Sequence, residues 1–300
     1  MTFCPKIQLA HDGPEISKLI QGYWRLADWD MNSQQRLSFI ERHVESGVST
    51  VDHAFIYGDP ACESLFGEAL KLAPQLRREI EIISKCGIVS ARPGKVAHYS
   101  SSKSDIVASV ETSLKRLGTD YLDILLIHRP DFLMDADEVA GAFQALKQAG
   151  KVNHFGVSNF DAAQLSLLQS RLDAPLVTNQ IELNPVNTQV AESGLLEYLQ
   201  ERRIRPMAWS CLAGGRVFND TSTAMQRLRN TLQLLVHELS ASSIDQVIYA
   251  WVMKMPSQPL PIIGSGNVRR MQEAVAALSL PMSREQWYRV LSAARGRDVD

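Results

Sequence analysis

Four polar residues stand just past apolar runs in this sequence: Asp52 and Tyr57 in VDHAFIYG, Lys85 in IISKCG and His128 in ILLIHRP. As a set they have the acid–base character of a proton-transfer site. A tyrosine hydroxyl, with a pKa of about 10, is too weak an acid at neutral pH unless a neighbouring cation lowers it. Lys85 supplies a cation, and Asp52 an anion able to hold that cation charged and oriented. His128 can donate a hydrogen bond to a substrate oxygen as negative charge builds there. Together the four would protonate the alkoxide formed when hydride reaches a carbonyl carbon. Taken singly, each has a plainer reading: Asp52 as a strand-end cap, Tyr57 as a plug in a barrel mouth, Lys85 as a solvated rim cation, His128 as a core histidine. Their joint placement at strand ends is what argues for chemistry.

Ionisable groups at the C-terminal ends of buried strands are the arrangement of a (β/α)8 TIM barrel, whose chemistry sits on that rim. The chain is patterned to match. Strand-like runs occur at LIQGYW (from Leu19), STVDH, IEIIS, YLDILLIH, HFGVS, LVTNQ, IRPMAW and PLPIIG, and helix-like segments alternate with them. The first helix reads with Ser33 as N-cap, an apolar stripe through Leu37, Ile40 and Val44, and a stop at Gly47. Another begins near Ser104 and stops at Gly118, with Lys115 and Arg116 in its last turn. Asp135 and Glu138 read as a capping box, and further helices begin near Asp161, Val190, Ser243 and Val268. Eight strand–helix pairs in strict alternation predict one closed parallel α/β barrel over residues 1–300 as a single domain. Ser222–Leu239 and Arg284–Ala294 read as extra helices outside the eightfold scheme, and IQLAHDGPEIS as an N-terminal β-hairpin turning at Asp12-Gly13.

The bulk composition narrows the function classes. Of 300 residues, 45% are apolar and 21% charged, so there is material for a core. A net charge of −2 gives no basic field for nucleic acid or an anionic membrane surface. The N-terminus lacks a leader pattern and no apolar run has bilayer-spanning length, which points to a cytoplasmic protein with no membrane partner. Cys4, Cys62, Cys86 and Cys211 are far apart and without metal-ligand spacing; free thiols and no metal are expected. His11, His43, His53, His98, His154 and His237 read as structural or exposed, and strand alternation turns His53 to the face opposite Asp52. A monomer is the favoured assembly.

At these motifs the chain resembles the aldo-keto reductase family nearly end to end. The family's Asp–Tyr–Lys–His tetrad aligns with Asp52, Tyr57, Lys85 and His128. GYWR (Gly22–Arg25) is similar to its first-strand segment, GVSNF (Gly156–Phe160) to its Ser-Asn pair, and NQIELNP (from Asn179) to the segment carrying its glutamine. AWSCL resembles the stretch with the aromatic residue that stacks on nicotinamide. GYWRL, HRPD, LMDADEVA, RPMAWSCL and LPIIGSG are closest to the YdhF-like oxidoreductase branch of that family.

The resemblance implies NADP(H), held extended on the rim, since no Gly-x-Gly-x-x-Gly fingerprint is present. It implies carboxamide contacts from Ser158, Asn159 and Gln180, with Trp209 stacking, and rim contacts from Gly22, Tyr23 and Arg25. Ser210, Leu212, Gly214 and Gly215 would lie along the pyrophosphate, although two adjacent glycines also suit a plain turn. In GSGNVRRM, Ser265 with Arg270 or Arg269 would take the 2′-phosphate through charge-assisted hydrogen bonds. Gly264 and Ala274 depart from the lysine and asparagine common there. The substrate would be a small carbonyl compound: an aldehyde, ketone or quinone. Trp24, Trp29, Phe55 and Phe132 either line its pocket or pack structurally, and Arg129 either attracts an acidic group or makes a rim salt bridge. Two other classes stay open: an NADP(H)-holding redox sensor or partner-binding protein with little turnover, and a Schiff-base lyase using Lys85.

Overall fold

Eight parallel strands close into a barrel in the computed structural model of this protein, which describes residues 3–300. They are Ile20–Gly22, Thr50–Asp52, Glu81–Cys86, Leu122–Ile127, Val152–Ser158, Asn179–Glu182, Met207–Trp209 and Leu260–Ile263. Each pairs with the next, and the last returns to the first. Helices cover the outside, so a strand is buried on both faces and reads as a continuous apolar run. All four residues of Leu260–Ile263 are buried. Lys6–Gln8 and Glu15–Ser17 form the expected antiparallel hairpin.

Strand register positions the site. Asp52 pairs with Ile83, Lys85 with Leu126, Leu126 with Gly156, Ser158 with Gln180 and Gln180 with Met207. Paired residues face the same way, and faces alternate along a strand. One continuous row therefore carries Asp52, Lys85, His128, Ser158 and Gln180 to the barrel interior. Gly22 belongs to that row, where a Cβ would stand 2.7 Å from Ile262 Cγ2.

Local chemistry sets the helix ends, in places differently from the sequence reading. The first helix, Ser33–Glu45, is capped by Asn32 rather than Ser33, because Asn32 and Gln35 exchange side-chain and backbone hydrogen bonds. Asp135 does cap Ala136–Gln148, but the reciprocal half of the box is missing. Glu138 instead accepts from the Lys103 backbone at the start of the neighbouring helix. The segment near Val190 breaks into Gln189–Glu192 and Leu195–Glu201 at Gly194, whose φ is 79°. A small hairpin, Ile88–Val89 with His98–Tyr99, was not legible, since two-residue strands leave no periodic signal. The two extra helices are Thr223–Glu238 and Arg284–Arg295. The second is locked on by Trp251 and Trp287, stacked at 4.9 Å, each indole N–H donating to the other's carbonyl at 3.0 Å.

Helix Ala61–Leu70 approaches helix Lys103–Leu117 most closely at Gly67, where a Cβ would lie 2.2 Å from the Arg116 carbonyl oxygen. Gly67→Ala is therefore expected to destabilise the fold by about 1–3 kcal/mol through overpacking. Gly141→Ala, in a helix interior with only the flexible Lys103 side chain 3.7 Å away, is expected to stabilise by about 0.5–1 kcal/mol. Urea unfolding of the two variants checks the contrast; equal effects would contradict it.

Candidate active site

The mouth of the barrel is organised around a buried ammonium. Lys85 is 1% exposed, and its Nζ donates to Asp52 Oδ2 at 2.7 Å, the His53 carbonyl oxygen at 2.8 Å and the Tyr57 hydroxyl at 2.9 Å. Three acceptors match the three N–H bonds of a protonated amine. The other Asp52 oxygen accepts from Gln180 Nε2 at 2.8 Å, so the carboxylate is satisfied on both sides. Tyr57 lies on the loop after the second barrel strand, where the chain turns back as the Tyr57 backbone N–H donates to Ala54. The His128 ring meets Tyr57 edge-on, with centroids 5.8 Å apart.

Electrostatics follow from this packing. Burial alone would drive the Lys85 ammonium toward neutrality, but the Asp52 charge and the hydrogen-bonded Tyr57 hold its pKa above the ordinary lysine value. Burial also raises the Tyr57 hydroxyl above its usual value, and Lys85 offsets only part of that. Lys85 thus acts in the direction expected from the sequence, but burial, which the sequence does not reveal, outweighs it. His128 is pushed down to about 2 by burial, with Lys85 and Arg129 adding to the effect. Its imidazole is neutral at ordinary pH and has a ring N–H to offer, and no ring partner occurs among the described residues.

Beside the tetrad, Ser158 Oγ donates to the Gln180 carbonyl at 2.9 Å. Asn159, at φ 61°, donates from Nδ2 to Ser158 Oγ at 2.8 Å and accepts from Trp209 Nε1 at 3.1 Å. These side chains make one polar shelf between the fifth and seventh barrel strands. Farther round, Ser210, Ala213, Gly214 and Gly215 have φ of 56°, 52°, 66° and 93°. A Cβ on Gly214 would meet only Ser210 Oγ, at 3.9 Å, so the backbone here is open to close approach by a bound group. Leu212 is half-buried beside it. The next cradle is the segment before helix Val268–Ala276. Ser265 Oγ accepts from the Asn267 backbone, and Asn267 caps the helix.

Several expected positions take other roles. Tyr23 does not reach the mouth. It is buried in the layer outside the barrel, its hydroxyl is hydrogen-bonded to His43 Nε2 at 2.8 Å, and its ring stacks on His53 at 4.9 Å. Residue 23 is one step past the inward Gly22, so alternation sends it outward. Trp29 supports the cradle from beneath: a Cβ on Gly266 would stand 2.5 Å from its ring. Phe55 turns away to a lateral cavity of about 480 Å³ beside the Ile88–Val89 hairpin, with the Arg116 guanidinium 4.5 Å from its ring centroid. Phe132 is 99% exposed, while Trp24 sits at the rim with its ring centroid 6.4 Å from that of Tyr57. Arg25 lies over Trp24 at 5.2 Å, and Arg129 over Trp209 at 5.5 Å. Arg270 holds Asp245 at 2.6 and 2.9 Å, and Arg269 holds Glu273 at 3.1 Å, so both cations carry a protein counter-charge.

Two supporting groups escaped the sequence reading. Gln21 Nε2 donates to the carbonyls of Gly22, Ile263 and Ser265, tying the first and last strands together beneath the cradle. Its signal was a lone glutamine inside the apolar run LIQGYW. Glu63, fully buried, accepts from Ser84 at 2.7 Å and Ser113 at 3.1 Å and faces Arg116 at 3.5 Å. Arg116 in turn donates to the Phe55 carbonyl at 3.1 Å, fixing the loop that carries Tyr57. Nothing local marks Glu63, which sits on an amphipathic helix. Among the described residues no group of His, Cys, Asp and Glu has metal-binding geometry, and no helix is long and apolar enough to cross a membrane.

Comparison with known proteins agrees with this fold. Residues 18–295 match the model of the aldo/keto reductase family. The chain is 56% identical to Oxidoreductase YdhF of Escherichia coli, covering 98% of this chain and 99% of the relative. It is 40% identical to a 6-dehydroglucose reductase of Agrobacterium fabrum, covering 96% and 97%. The crystal structure of a Bombyx mori aldo-keto reductase in complex with NADP superposes with a TM-score of 0.77 at 26% identity, covering 100% of this chain and 96% of that one.

Buried histidines make the fold acid-sensitive. His43 and His53 are held down to about 4 and about 3 by burial, while the unfolded chain protonates them near pH 6.5. Both native pKa values are depressed, so below about pH 6.5 the unfolded state binds more protons and stability falls as pH falls. The expected loss is about 1.4 kcal/mol per pH unit for each ring between about pH 6 and pH 4. Urea unfolding across that range should show a shallower slope for His53→Phe; an unchanged slope would contradict the assignment.

Proposed function

We propose, starting from the fact that this chain belongs to the aldo/keto reductase family, that Tyr57 is the general acid of a carbonyl reduction. The protein is an NADP-dependent oxidoreductase, and NADPH when bound supplies the hydride. The observation that carries the assignment of the acid is the 2.9 Å hydrogen bond from Lys85 Nζ to the Tyr57 hydroxyl. With Lys85 donating to its oxygen, the tyrosine O–H is left free to point outward to the carbonyl oxygen of a substrate. As negative charge develops on that oxygen, Tyr57 gives up its proton, and the tyrosinate left behind is stabilised by the ammonium 2.9 Å away. Asp52 keeps Lys85 charged and in place. The neutral His128 ring donates a second hydrogen bond to the carbonyl oxygen and orients it. The raised pKa of Tyr57 keeps its proton in place before substrate reacts.

The polar shelf of Ser158, Asn159, Gln180 and Trp209 suits a nicotinamide carboxamide, which needs both donors and acceptors. Gln180 serves two partners in this reading, since its amide is already joined to Asp52. The open backbone at 210–215 suits the pyrophosphate. Ser265 with Arg269 and Arg270 suits the 2′-phosphate, which would share the two guanidinium groups with Glu273 and Asp245. The substrate is a small aldehyde or ketone, and the name of the Agrobacterium relative makes a sugar-derived aldehyde one compound to include.

NADPH oxidation with 4-nitrobenzaldehyde, followed in wild type and Tyr57→Phe, tests the acid. The variant keeps the ring and the fold, and its kcat/KM is expected to fall by about 10²- to 10⁴-fold with an unchanged melting temperature. Wild-type kcat is expected to be level from about pH 6 to about pH 9 and to fall only as Tyr57 loses its proton at higher pH. Full turnover by Tyr57→Phe would overturn the role. Tight NADPH binding without turnover by the wild type would favour a sensor.

A further inference from the structure

Arg129 follows His128 at the mouth and is half-buried there, its guanidinium carbon 5.5 Å from the Trp209 ring centroid. Its charge bears on both Tyr57 and His128, which places it at the reacting end of the barrel. Among the described residues it has neither a salt bridge nor a side-chain hydrogen bond. That sets it apart from other half-buried arginines of this fold. Arg36 holds Glu68, Arg77 holds Asp123, Arg116 faces Glu63 and Arg270 holds Asp245. A partly desolvated guanidinium without a counter-ion is costly unless a ligand completes it.

Two carboxylates close to it in the structure or the chain, Asp52 and Asp131, are already committed, and Glu182, in register with Trp209, accepts from Asn184 Nδ2 at 3.2 Å. Asp52 is divided between Lys85 and Gln180. Asp131, two residues on, accepts from Ser101 through one oxygen and from the Leu133 backbone through the other. Lys85 and Asp52 cancel, and Tyr57 and His128 are neutral at ordinary pH, so the tetrad itself adds no net charge beside Arg129. We propose that Arg129 anchors a carboxylate on the substrate, so that the carbonyl compounds this protein prefers are aldehydo or keto acids. The planar fork of the guanidinium donates to both carboxylate oxygens. The assignment rests on the reductase reading and adds to it a second point of attachment.

The test compares 4-carboxybenzaldehyde with 4-nitrobenzaldehyde, which match in shape and differ in charge. Within each protein the ratio of kcat/KM for the two compounds is measured, for wild type, Arg129→Met and Arg129→Lys. Comparing ratios between proteins cancels the intrinsic reactivity of each aldehyde. Removing a charge-assisted pair is expected to lower the ratio about tenfold or more in Arg129→Met, with Arg129→Lys between the two. A second arm needs no variant. In wild type the ratio should shrink as salt rises from about 0.05 M to about 0.5 M, because screening weakens an ion pair and leaves the nitro compound alone. A ratio that is the same in all three proteins, or insensitive to salt, would overturn the anchor. If wild type turned over neither aldehyde, the reductase reading would fail and the anchor with it; turnover of the nitro compound with no preference sinks the anchor alone.

Discussion

A lysine ammonium buried at the top of a barrel is the constraint around which the site is built. Taken from water, such a charge tends to lose its proton, and an uncompensated one would oppose folding. Lys85 stays charged because three oxygen acceptors surround it, one of them an anion. Each acceptor makes a demand on the chain. Asp52 must end the neighbouring strand on the inward face, the backbone must present the His53 carbonyl, and the following loop must bring Tyr57 back over the amine. The parity of the strand register meets the first demand, and the turn at 54–57 meets the third.

The same ammonium links the inner site to the helix layer. Ser84, beside Lys85 and facing outward, holds Glu63 on the helix that follows the Tyr57 loop. Arg116 joins Glu63 to the Phe55 carbonyl, so the loop is fastened from outside while Tyr57 is held from inside. Burial raises the pKa of Glu63, the Ser84 and Ser113 hydroxyls lower it, and the Arg116 charge offsets burial further. A loop fastened on both sides keeps an acid in place without relying on substrate to organise it.

How much of this was readable from sequence follows from the physics of each element. The eight barrel strands were legible because strands buried on both faces must be apolar, and the tetrad because ionisable residues interrupt those runs at their ends. Asn32 and Ser33 are both good caps, and only the reciprocal bond to Gln35 separates them. Tyr23 was placed at the mouth by motif, although its register beside Gly22 turns it into the outer layer. Its partners there, His43 and His53, are far apart in sequence and carry no local signal. The direction of the Tyr57 shift depends on how deeply it is buried, which residue type alone does not reveal. The bond between Gln180 and Asp52 spans 128 positions and appears only when the barrel closes.

The most direct measurement of the Lys85–Asp52 pair is a double-mutant cycle read by urea unfolding of wild type, Asp52→Asn, Lys85→Met and the double variant. If the ammonium and the carboxylate depend on each other as described, each single change strands a buried charge and costs about 3–5 kcal/mol, while the double variant loses far less than the sum. Additive losses would show that the two groups are stabilised independently, and the account of the site as one buried charge-paired unit would be wrong.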